Sequence, residues 1–261
     1  MRINLTFLAI LFLSGTPGFS QDLSLYEKHN FISGNDTLPY RLLLPEKYDA
    51  SKKYPLVFFL HGAGERGSDN EKQLTHGAKL FLSESARNEY PAIVVFPQCP
   101  ASSFWSNVSF KRDSNGDRLF IFSDTLHPTI AMQLAQGLLH EIIKRYSVTS
   151  NQVYVMGLSM GGMGTFEIVS RNPGLFAAAI PICGGGASST AKLLKPTKWW
   201  VFHGAKDDVV PLLYSEQMVH ALETVKADVK FTVYPMANHN SWDSAFAEPQ
   251  LLNWLFHTTK N

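Results

Sequence analysis

The sequence predicts an α/β fold: a mostly parallel sheet of about eight strands, helices on both faces and no large cap domain. Three observations carry that reading. Apolar runs such as Tyr54-Pro55-Leu56-Val57-Phe58-Phe59-Leu60 and Ala92-Ile93-Val94-Val95-Phe96 are continuous rather than alternating, as expected of strands buried on both faces of a parallel sheet. These runs take turns along the chain with helix-period segments, the order that parallel strands joined by crossover helices require. The stretch Val153-Tyr154-Val155-Met156-Gly157-Leu158-Ser159-Met160-Gly161-Gly162 reads as strand, tight turn and helix, with a serine at the turn.

Residues 1–20 read as a signal peptide. Arg2 supplies a positive start, residues 5–13 a short apolar core, and Gly18-Phe19-Ser20 the small residues a signal peptidase reads, with cleavage near Ser20/Gln21. The apolar run is too short to span a bilayer, and no cysteine stands at the junction to carry a lipid. A secreted or periplasmic, soluble protein follows, with residues 21–261 forming one domain. The 23 basic and 22 acidic side chains nearly cancel, leaving no footprint for nucleic acid or for a membrane surface. The two cysteines, Cys99 and Cys183, follow strands that two other strands should separate, so both are expected to be free and buried.

In chain order, residues 26–32 and 39–44 predict two strands joined across Ser33-Gly34-Asn35-Asp36. Residues 54–60 form a buried strand that stops at His61-Gly62-Ala63-Gly64-Glu65-Arg66-Gly67, where three glycines let backbone N–H groups face a small cavity. A helix is expected over 71–84 and a buried strand over 92–96. Residues 100–127 read as a loop with a hairpin turning at Asn115-Gly116. Ile130, Leu134, Leu138 and Ile142 mark a crossover helix over 129–146. After the serine turn come strands over 176–182, 199–202 and 231–234, a helix over 214–226 and a terminal helix over 241–256. Only residues 184–198 lie where a helical lid could be inserted, too few for one, so an open cleft bounded by the 100–127 insertion is expected.

A serine hydroxyl needs a base within reach, and the base needs an acid to hold its tautomer. Asp207 and Asp208 stand just past the strand that ends near Phe202, and His239 stands in the loop after the last strand. With Ser159, these positions fall outside the carboxyl ends of parallel strands, where chemistry gathers in open sheets.

Four segments, Leu60 to Gly67, Pro97-Gln98-Cys99-Pro100, Gly157 to Gly162 and Phe202-His203-Gly204-Ala205-Lys206-Asp207, resemble the α/β-hydrolases. More narrowly, they resemble the secreted carboxylesterases related to feruloyl esterases and polyhydroxybutyrate depolymerases, and the set also appears in prolyl-oligopeptidase-like peptidases. The resemblance implies that residues 21–261 are an α/β-hydrolase catalytic domain, with Ser159 as nucleophile, His239 as base and Asp207 rather than Asp208 as the acid. It implies an oxyanion hole from the Met160 N–H and a second donor at Ala63, with Gly64 the alternative. Together with the triad, the open cleft and the export signal fit an ester carried on a large molecule, and feruloyl or acetyl groups on plant polysaccharides are the leading expectation. A serine peptidase or a polyester depolymerase is the alternative on the same scaffold, and a catalytically silent binding protein is a third.

Other residues have two readings each. Trp105 could wall the substrate pocket or simply pack, and Glu65 with Arg66 could grip a substrate or pair locally. His61 and His203 read as structural, and Trp242 as core. Asp113 to Asp117 reads as a hairpin turn, since its glycine is misplaced for a calcium loop. No metal-ligand or phosphate-cradling pattern is present, so no cofactor is expected.

Overall fold

The computed structural model describes residues 22–116, 118–124 and 127–260. The expected signal peptide lies outside these residues. Ten strands are found among the described residues: β1 Glu27–Ser33, β2 Asp36–Leu43, β3 Tyr54–Leu60, β4 Ile93–Pro97, β5 Val108–Arg112, β6 Arg118–Phe122, β7 Val148–Leu158, β8 Ala178–Ile182, β9 Lys198–Gly204 and β10 Val229–Tyr234. The helices are α1 Glu84–Glu89, α2 Ile130–Arg145, α3 Met160–Arg171, α4 Ala191–Leu194, α5 Leu213–Thr224, α6 Trp242–Phe246 and α7 Leu251–His257. No helix among the described residues is long and apolar enough to cross a membrane.

Eight strands form one sheet in the order β1-β2-β4-β3-β7-β8-β9-β10. β1 and β2 pair antiparallel, as does β2 with β4, and every later pairing is parallel. The continuous apolar runs at 54–60 and 93–97 sit at the centre because both of their faces are covered. On one face α2, α3 and α5 bury Leu138, Phe166 and Met218 against Phe58, Val155 and Val201. On the other, α6 and α7 bury Ala245 and Leu255 against Phe59, Met156 and Phe202. β3 and β7 lie between the strands leading to Cys99 and Cys183, and both thiols are free and buried.

Two expected helices are corrected. Residues 71–84 form two separate 3-10 turns, Lys72–Leu74 and Ala78–Phe81. Gly77 between them is left-handed, with φ 80°, which no helix tolerates mid-course. The terminal helix is split into α6 and α7 because Pro249 lacks the N–H that a continuous helix would need there. The expected hairpin forms as β5 and β6, pairing Arg112 with Arg118 and Phe110 with Phe120. Phe120 packs with Met163, Val210 and Tyr214, and its N–H donates to the Tyr214 hydroxyl at 2.8 Å. That docking lays the hairpin over the start of α3. Residues 184–198 hold only a 3-10 turn, Ser188–Thr190, and the four-residue α4.

Candidate active site

Ser159 stands between β7 and α3 with φ 54° and ψ −117°, a conformation a non-glycine residue adopts only when its surroundings enforce it. The enforcement is visible on both sides. A Cβ on Gly157 would lie 2.2 Å from the Gly161 carbonyl oxygen, and one on Gly161 would lie 1.9 Å from that of Leu60. Neither position can carry a side chain while β7 enters α3 this tightly. The Ser159 N–H donates to the Ile182 carbonyl at 2.9 Å, anchoring the turn to β8. Met160 is the first residue of α3, where N–H groups lack intrahelical acceptors and the helix dipole is positive.

The His239 loop follows β10, and Asp207 follows β9. His239 Nε2 lies 3.0 Å from Ser159 Oγ, and its Nδ1 lies 3.0 and 2.9 Å from the two Asp207 oxygens. The structure thus brings together three side chains that are far apart in sequence. The Asp207 carboxylate is fully buried. Burial alone would raise its pKa, but contacts from His203 and His239 and the Val210 N–H outweigh it and hold the acid well below the usual carboxylate range. Asp208 is turned away: its carboxylate accepts from the Asn238 side chain at 3.1 Å. Cys183, beside Asp207 and His239, is kept protonated by burial and then by the neighbouring carboxylate.

A cavity of about 480 Å³ opens beside Ser159, lined by Ala63 and Met160 among others. Ala63 begins a 3-10 turn after β3, and Gly64 is not among the lining residues. The loop carrying Ala63 is pinned from below. His61 Nε2 accepts the Cys99 N–H at 2.9 Å, so the ring proton sits on Nδ1, which donates to the Gly62 carbonyl at 2.6 Å. Burial lowers the His61 pKa to about 4, keeping the ring neutral.

Two predicted substrate contacts are corrected. Trp105 is completely buried and does not line the cavity; its indole N–H donates to the His61 carbonyl at 3.1 Å. It braces the loop from the core side. Glu65 also misses the cavity, its carboxylate facing His61 Nδ1 at 4.0 Å and His76 Nε2 at 3.9 Å. Arg66 does not pair with it, donating instead to the carbonyls of Ala63, Ala101 and Ser103 with its guanidinium 4.5 Å over the Phe104 ring. His203 packs as expected, yet its Nε2 also lies 3.2 Å from Asp207. Trp242 is only partly buried and meets the His239 ring edge-on at 5.3 Å.

Sequence reasoning expected the 100–127 insertion to bound the cleft but did not single out the hairpin residues that line the cavity, Phe110, Lys111, Arg112, Arg118 and Phe120. The period-two alternation around Asn115-Gly116 puts 110, 112, 118 and 120 on one face, but nothing local says that this face meets Ser159.

The sheet order and the serine on its strand-to-helix turn define an α/β-hydrolase. Within that class the chain belongs to the Esterase family, described as "Putative esterase", which matches residues 33–212. It is similar to a thermostable esterase of known crystal structure, with 33% identity and a TM-score of 0.79 over 90% of this chain and 63% of that one. It is 25% identical to the feruloyl esterase C of Emericella nidulans over 76% of this chain and 64% of that protein. It is 24% identical to a bifunctional acetylxylan esterase/xylanase of Neocallimastix patriciarum over 60% of this chain. The match spans 20% of that last protein's length, so the chain covers a fifth to under two thirds of these relatives.

Proposed function

We propose that the protein is a serine carboxylesterase acting on esters borne by plant polysaccharides, feruloyl or acetyl esters above all. The observation that carries the reading is the continuous hydrogen-bonded line from Ser159 Oγ through His239 to the buried Asp207, 3.0 Å at the first link. Family membership and the relatives named as feruloyl and acetylxylan esterases support the substrate class.

In this reading Ser159 Oγ attacks the ester carbonyl as its proton passes to His239 Nε2. Asp207 holds the Nδ1–H and stabilises the imidazolium that forms. The alkoxide on the tetrahedral intermediate accepts from the N–H groups of Met160 and Ala63, each donor worth about 3–4 kcal/mol. The alcohol leaves with the proton from Nε2, and water repeats the steps in reverse to free the acid and Ser159. We further propose that residues 1–20 are a signal peptide removed on export to the periplasm or beyond, and that 21–261 work as one catalytic domain.

The test is hydrolysis of p-nitrophenyl acetate by the purified protein and by Ser159→Ala, alongside matched amides. The variant should lose about 10⁴-fold or more in kcat. Retention of activity by Ser159→Ala would remove the serine mechanism, and preference for the amides would make the protein a peptidase.

A further inference from the structure

We propose that the cavity beside Ser159 selects esters that carry a carboxylate near the scissile bond, an inference that rests on the hydrolase reading because it names that site's substrate class. The protein as a whole is nearly neutral, with 23 basic and 22 acidic side chains. The cavity is not. Among the described residues that line it, four, Arg66, Lys111, Arg112 and Arg118, are cationic and none is acidic. Among the described residues none of the four lies within ion-pair distance of a carboxylate.

The hairpin register sharpens the point. Arg112 and Arg118 are direct cross-strand partners. Like charges placed opposite each other destabilise a strand pair, and a two-stranded ribbon has little stability to spare. An anion bridging both guanidinium groups turns that repulsion into attraction. The guanidiniums are also held in advance, which lowers the entropy lost on binding. Arg66 is fixed by three carbonyls and lies over Phe104, Arg112 donates to the Gly116 carbonyl, and the Arg118 guanidinium sits 5.7 Å from the centre of the Phe110 ring. Phe104, Phe110 and Phe120 supply the apolar remainder. A ligand suited to this wall has an apolar or planar body and a carboxylate, whose two oxygens match the guanidinium fork.

The carboxylate could belong to either half of the ester: to the acyl group, as in a half-ester of a dicarboxylic acid, or to the alcohol, as in an acylated uronic acid. Two substrate pairs separate the sources. The acyl arm compares the 4-methylumbelliferyl monoester of adipic acid with the hexanoate. The alcohol arm compares acetate release from O-acetylated methyl galacturonoside and its galactoside counterpart. We expect kcat/KM to favour the anionic member by about tenfold in one arm, the discrimination of a charge-assisted contact at a partly solvated site. The ratio should shrink in high salt, where screening is shorter than the contacts' reach, and fall to about one in Arg112→Gln/Arg118→Gln. A wild-type ratio at or below one in both arms, with the neutral esters turning over, overturns the inference and leaves the esterase reading standing. Failure to cleave any ester removes both. The wild-type ratio and its salt dependence decide the matter even if the double variant does not fold.

Discussion

Acidification should weaken this protein through one buried side chain, His61. In the native state its Nε2 accepts the Cys99 N–H and burial lowers its pKa to about 4, against 6.5 for a free histidine. The sign follows from proton counting. Between those two values the unfolded chain binds a proton at this residue and the native state does not, so stability falls as pH falls. Above pH 6.5 both states are neutral there and the residue adds no pH dependence. By pH 5 the loss from this one group is about 2 kcal/mol, approaching about 3 kcal/mol near pH 4. His61→Gln keeps an acceptor for the Cys99 N–H and removes the titration. Urea unfolding of both proteins between pH 7 and pH 5 gives the comparison: the wild type should lose about 2 kcal/mol more than the variant over that range. Because the native ring stays neutral down to about pH 4, the contact to the Cys99 N–H that anchors the loop carrying Ala63 should persist over that range. Equal pH slopes for the two proteins would refute the assignment, since they would mean that the ring takes up its proton as readily in the native state.

Asp207→Asn should lower kcat by about 10⁴-fold, whereas Asp208→Asn, which loses only the Asn238 contact, should stay within a few fold; steady-state kinetics on one ester decides. Gly161→Ala should cost about 3 kcal/mol or more in thermal or urea unfolding, because its Cβ would meet the Leu60 carbonyl oxygen at 1.9 Å and backbone cannot step aside as a side chain can. Trp105→Phe removes the donor to the His61 carbonyl and should cost about 1–3 kcal/mol of stability, with kcat falling more than KM rises. A change in KM alone would put Trp105 in contact with substrate after all.

What the sequence made legible was what depends on near neighbours in the chain. Gly157 and Gly161 flank Ser159 at a spacing that only a tight strand-to-helix turn explains, and the clashes their Cβ atoms would make show why. The parallel sheet was readable because strands buried on both faces have no polar alternation to disguise them. What escaped depends on docking. The segment 71–84 has apolar residues at plausible helical intervals, but Gly77 is left-handed where the Phe59 ring presses within 2.5 Å of its would-be Cβ, a contact made by β3. Trp105 could be read as a pocket wall or a core residue with equal ease, because the answer lies in the Leu60–His61 backbone it meets from behind. The 100–127 insertion was readable as a hairpin and as a boundary of the cleft, but which of its side chains face Ser159 was not, for the same reason: Phe120 chooses its place by packing on Met163, Val210 and Tyr214, which come from two other parts of the fold.

The histidine four residues before Asp207 shows how structural and chemical roles merge at this site. His203 is wholly buried, its Nδ1 2.7 Å from the Ser215 hydroxyl and its Nε2 2.8 Å from the Val210 carbonyl. The same Nε2 lies 3.2 Å from one Asp207 oxygen, while the N–H groups of Val209 and Val210 donate to the other at 2.9 and 2.8 Å. A buried carboxylate left with His239 alone would carry most of its charge unpaired, at a cost of several kcal/mol. With its other directions satisfied, Asp207 stays ionised and keeps both oxygens within 3.0 Å of His239 Nδ1. The short spacing between His203 and Asp207 at the end of β9 therefore has a physical reason: the strand end that delivers the carboxylate also delivers the group that fixes it, so the His239 ring is held against Ser159 by the core of the sheet rather than by its own exposed loop.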